Sequence, residues 1–143
     1  MLLNQKINTA LPYMAKLTLE VKEEYDFDLV GICSHVKDYR LSWEINKALE
    51  FDLMKDNNYE INIKGENQSY SFFSFIDDEN LIEFYLINNR CSNGILIPEE
   101  KKSDYFLMIR GVLRGGQKEV IVEKIGNIKN VLTTYEIEVD QLK

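Results

Sequence analysis

A chain of 143 residues is long enough for one domain whose core needs no disulfide or metal staple. Hydrophobic residues at 45% and charged residues at 29% give an ordinary soluble globular balance, and 8 tyrosines and 7 phenylalanines against 2 prolines favour packed sheet over disorder. A formal net charge of -7 argues against a phosphate backbone as ligand, because that affinity comes from Lys and Arg, although a local basic patch is compatible with an acidic whole.

Cys33 and Cys91 stand in dissimilar settings and make neither a disulfide framework nor a CxxC pair, which fits reduced thiols and a cytoplasmic setting. His35 is the single histidine, so no metal-ligand spacing appears and no cofactor is expected. No apolar run approaches the roughly 20 residues of a membrane span. Met1-Leu2-Leu3 is not followed by the basic and apolar regions of a signal peptide. Neither a membrane nor a nucleic acid is expected as partner, which leaves another protein or a second copy of the chain.

In chain order, residues 1–13 carry only Leu2, Leu3, Ile7 and Leu11, too sparse a pattern for a helix, and read as a weakly packed extension. Met14-Ala15-Lys16 looks like an ordinary bacterial start, and residues 14–143 read as a single domain. Leu17, Leu19 and Val21 alternate with Lys16, Thr18 and Glu20 as a half-buried strand, ended by a turn at Glu23-Glu24. The β-rich residues 27–32 predict a second strand, with a short helix as the alternative. Leu41, Ile45, Ala48 and Leu49 then form one stripe of an amphipathic helix at 37–50, capped by Ser34 or Asp38.

Asp56-Asn57-Asn58 turns the chain, and Tyr59, Ile61 and Ile63 alternate with Glu60, Asn62 and Lys64 as a one-sided strand. Gly65-Glu66-Asn67 reads as the next turn. Residues 70–76 and 81–87 flank Asp77-Asp78-Glu79-Asn80 as an antiparallel hairpin, and 88–94 reads as a polar loop. Residues 104–110 are apolar on both pleat faces, which predicts a central strand with Tyr105, Leu107 and Ile109 opposite Phe106 and Met108. Gly115-Gly116 opens a helix striped by Val120, Ile121, Ile125 and Ile128. Val131, Thr133, Tyr135, Ile137 and Val139 alternate as the last strand. This order predicts an α+β domain, a largely antiparallel sheet with two principal helices, whose element order resembles ferredoxin-like domains.

Ile97-Pro98-Glu99, a short spacer, and Asp104-Tyr105 leading into Phe106-Leu107-Met108-Ile109 resemble the motif of the bacterial IPExxxVDY family, with Ser103 where that motif has Val. The run from Asp26 to Ile32, Ser34-His35, Lys37-Asp38-Tyr39-Arg40-Leu41, Trp43, and the closing Val131-Leu132-Thr133 with Glu136-Ile137 extend the likeness from about Met14 to the end. The resemblance implies a small protein of Bacteroidota-type bacteria. It implies no catalytic residues and no ligand.

Candidate sites come from the residues themselves. On a helix of about 100° per residue, Tyr39 and Trp43 fall opposite the apolar stripe, with Asn46 and Glu50 on the same side. An outward Tyr–Trp pair next to Arg40 is composed like an interface anchor, so Tyr39, Arg40, Trp43 and Asn46 are the expected contact residues. The alternative is that the N-terminal segment or a loop covers them. A second reading is a small-ligand or anion module: Arg110 and Arg114 precede the Gly115-Gly116 turn, and His35 is placed at the same sheet end. More often such a Gly-Gly only lets the chain turn. Cys33 and His35 suggest a nucleophile and base, against which His35 as a partner of the following helix start is the plainer reading. Glu99, Glu100 and Asp104 suggest acid–base work, against which a turn with Asp104 paired to Lys or Arg is plainer. An enzyme is the third function class.

Overall fold

The computed structural model describes residues 27–139. The expectations for residues 1–13, for a strand at Leu17, Leu19 and Val21, and for the Glu23-Glu24 turn lie outside the described residues. Strand β1 (Phe27–Ser34) leads to α1 (Asp38–Leu49), and a short β2 (Met54–Lys55) follows. Next come β3 (Tyr59–Ile63), β4 (Glu66–Tyr70), β5 (Phe72–Asp77) and β6 (Ile82–Asn88). The two-residue strands β7 (Arg90–Cys91) and β8 (Gly94–Ile95) precede a 3₁₀ turn (Pro98–Glu100). The chain then forms β9 (Tyr105–Arg110), α2 (Gln117–Gly126) and β10 (Val131–Ile137).

Six strands make one antiparallel sheet in the order β10-β1-β9-β6-β5-β2. Its two faces bury separate hydrophobic clusters, as the pleat requires. Val30, Ile32, Phe84, Leu86, Leu107 and Ile109 point to the face that Leu41 and Ile45 of α1 and Ile121 and Ile125 of α2 cover. Leu29, Tyr85, Ile87, Phe106 and Met108 point to the other face, where Tyr59, Ile61 and Tyr70 of the β3–β4 hairpin pack together with Leu96 and Ile97. The two-faced strand predicted at 104–110 is thus central, between β1 and β6. Each fully buried Phe or Leu here is worth about 1.5–3 kcal/mol of transfer free energy.

The α+β expectation holds, with two helices among the described residues on one side of a largely antiparallel sheet. The four strands β10-β1-β9-β6 stand in ferredoxin-like order, and β9–α2–β10 is a split βαβ unit with β1 between its strands. The other half departs from that plan. After α1 the chain runs to the far edge, forms β2 and the β3–β4 hairpin, and returns through β5 before entering β6.

Local differences from the predicted elements have physical causes. The run at 70–76 is split at Ser71, so that β4 pairs with β3 and β5 pairs with β6. The polar β4 read as a turn because Glu66, Asn67 and Gln68 carry no apolar alternation. Gln68 is nevertheless buried, and its amide accepts from the Tyr70 hydroxyl and donates to the Asn93 carbonyl. Gly94 leaves room for that amide, which occupies the space a Cβ would take. The first helix has Lys37 at its N-cap position and no side-chain cap: Ser34 Oγ accepts from Val36 N–H, and Asp38 lies inside the first turn.

Candidate functional site

Helix α1 is held to the sheet by Leu41 and Ile45, both fully buried, while the buried Ser42 hydroxyl donates back within the helix to the Tyr39 carbonyl. The same 3.6-residue spacing that buries these side chains turns Tyr39 and Trp43 outward, 61% and 55% exposed. Trp43 lies between two cations: the Arg40 guanidinium carbon is 5.7 Å from its ring centroid and Lys47 Nζ is 5.1 Å away. Both distances fall within cation–π range.

Arg40 also donates from Nε to Glu44 Oε2 at 2.7 Å, one helical turn on. The same carboxylate oxygen accepts from Asn130 Nδ2 at 2.7 Å, which ties α1 to the turn before β10. The Arg40 hydrogen bond, joined by that from Asn130, holds the Glu44 carboxyl below its ordinary value against the opposing effect of burial. Two open grooves flank Trp43. One runs between α1 and the end of α2, past Lys47, Ala48, Lys124, Ile128 and Lys129. The other is lined by His35, Val36, Lys37 and Tyr39.

Asn46 does not join this outward group. Its amide nitrogen donates to the Leu53 carbonyl and its amide oxygen accepts from Leu53 N–H, so both ends are spent on the chain leaving the helix. Glu50, with φ at 59°, reverses that chain, and the Phe51 ring packs tilted against Phe84 and Phe75, with ring centroids 4.2 Å and 5.2 Å away. The expected contact set is therefore reduced to Tyr39, Arg40 and Trp43, joined by Lys47, which sequence reasoning missed. Its place four residues after Trp43 was the available signal.

The residues of the anion-site alternative do not come together. Phe27 pairs with Arg110 and Ile32 with Tyr105, so Arg110 and the following Arg114 lie at the start of β1 while His35 follows its end. The eight residues of β1 separate those ends by about 23 Å. The Gly116 turn has φ at 80°, and the Gln117 side chain accepts from Arg114 N–H, which gives the glycines a turn-making role. Nor do Cys33 and His35 form a reactive pair. The Cys33 thiol donates to the Lys102 carbonyl at 3.0 Å, and burial, helped by Asp104, pushes its pKa up, away from thiolate.

The Ile97-to-Asp104 segment is a clamped loop. Asn89, fully buried, donates from its amide to the Glu100 and Ser103 carbonyls and accepts from Ile97 N–H. Asp104 accepts from Ser34 N–H at 2.8 Å and from Arg90 Nε at 2.7 Å, the paired state that the plainer reading expected. Arg90 also donates to the Lys101 carbonyl. Ser103 Oγ bonds the Tyr135 hydroxyl, which itself donates to Glu100 Oε1. Gly31 makes this crossing possible, since a Cβ there would stand 2.7 Å from the Tyr135 ring. Among the described residues no three His, Cys, Asp or Glu side chains are grouped as a metal would require, and no helix is long and apolar enough to cross a membrane. Neither a protein-family model nor a curated protein matches this chain.

Proposed function

We propose that this domain works by docking another protein on the outward face of α1, without chemistry of its own. The observation that supports this is Trp43, more than half exposed beside an exposed Tyr39 and flanked by Arg40 and Lys47. Tyr, Trp and Arg are the residues that anchor interfaces, and an exposed aromatic pair costs solvation that a partner recovers. The polar groups around the Ile97-to-Asp104 loop are bonded to one another, which fits a part in the fold. The likeness of this loop to the IPExxxVDY family, and a cytoplasmic setting with reduced Cys33 and Cys91, belong to the same proposal.

The test compares the intact protein with Tyr39→Ala/Trp43→Ala in affinity capture from native cells and in sedimentation velocity. Capture of a protein that the double variant fails to retain, at equal melting temperature, supports the reading. A self-associating form would instead sediment as a dimer that the double variant converts to monomer. Identical behaviour of parent and variant in both measurements defeats the proposal.

A further inference from the structure

The surface around Trp43 carries a charge opposite to that of the molecule. Arg40, Lys47, Lys124 and Lys129 line the groove between the helices, and Lys37 lines the neighbouring one. Five of the chain's 17 cations thus line the two grooves that meet at one exposed ring, in a protein whose 24 acidic residues leave a net charge of -7. The single carboxylate lining these grooves, Glu44, spends Oε2 on Arg40 and Asn130, and its Oε1 is buried. Ala48 and Ile128 add apolar lining beside the lysines.

Resting on the docking reading above, we infer that the partner presents an acidic segment, with an apolar side chain seated between Trp43 and Ile128 and carboxylates on Lys47, Lys124 and Lys129. Complementary potential steers encounter and rejects wrong partners. A second copy fits this face poorly: a two-fold contact sets Arg40 and the lysines against their own duplicates. A head-to-tail contact between this face and an acidic face of another copy does not close and grows into filaments. A nucleic-acid strand also stacks on tryptophan, but its affinity depends on neutralising phosphates along a track, and an acidic protein repels the remainder of the polyanion.

Trp43 is the one tryptophan in the chain, so its emission reports on this surface directly. The full-length protein is titrated with a synthetic peptide of repeated Glu-Glu-Phe, with its Gln-Gln-Phe counterpart, and with oligouridylate. The expected result is a saturable, salt-sensitive response to the acidic peptide, weaker by about tenfold or more for the Gln peptide. Lys47→Glu/Lys124→Glu/Lys129→Glu should lose at least about the same factor. The milder triple Lys→Gln variant should lose affinity in the same direction and guards against misfolding in the first. An equal response to the Gln peptide overturns the acidic assignment and leaves the docking face standing. An equal response to oligouridylate overturns it in favour of nucleic acid. Silence towards both peptides also overturns it, while the docking face itself is judged separately by capture with the Tyr39→Ala/Trp43→Ala variant.

Discussion

Asn89 and Trp43 show how far exposure separates the roles of single residues. Asn89 is fully buried and satisfies two carbonyls and one N–H of the loop that starts at Ile97. Asn89→Ala leaves those groups buried and unpaired, and should cost about 2–4 kcal/mol in urea unfolding. Tyr135 offers a second residue-level test. Burial, the largest cause, keeps its hydroxyl protonated up to about 12 in the folded protein, assisted by Glu100 and opposed by the Ser103 bond. An unfolded tyrosine ionises near 10. The folded state therefore binds the extra proton between those limits, and its contribution, intact below about pH 10, is lost as pH rises towards 12. The difference in stability between wild type and Tyr135→Phe, followed by chemical denaturation from neutral to alkaline pH, should shrink across that window. A constant difference would show that Tyr135 does not titrate as described.

At the scale of the element, α1 separates holding from presenting. Leu41 and Ile45 face the sheet, Asn46 secures the exit, and Tyr39 and Trp43 face outward. Asn46→Ala removes both bonds to the Leu53 backbone and should destabilise by about 1–3 kcal/mol. Trp43→Ala should change stability by no more than about 0.5 kcal/mol, because it leaves no cavity in the core. Thermal melts of the two variants check this, and an equal loss in both would place Trp43 in the core's energetics. The helix and its apolar stripe were legible because Leu41 and Ile45 repeat at helical spacing. Asn46 was misassigned because periodicity gives the side of the helix a residue occupies but not the loop that returns to meet it. The β4 strand was hidden for a related reason: Gln68 is buried by partners, Tyr70 and Asn93, that no local pattern announces.

At the scale of the whole molecule, the antiparallel register of β1 and β9 sets distances that spacing along the chain leaves open. His35 and Arg114 lie at opposite ends of the sheet, so His35→Ala and Arg114→Ala should have additive effects on melting temperature and on any thermal shift with phosphate. Non-additivity in a double-variant cycle would bring the anion-site reading back. The charge distribution behaves similarly, since Lys124 and Lys129 join Arg40 and Lys47 only because α2 ends beside α1.

The amino-acid sequence by itself determined the class of fold, the two-faced strand at 104–110, both helices and the outward turn of Tyr39 and Trp43. Those features follow from periods of two and 3.6 residues, which are local and survive any packing. Tertiary structure alone decided that Asn89 and Arg90 clamp the Ile97 loop, that His35 and Arg110 stand apart, and that lysines distant in sequence line one groove beside the indole. Each is a contact between residues distant in sequence, fixed by strand order and register rather than by neighbouring side chains.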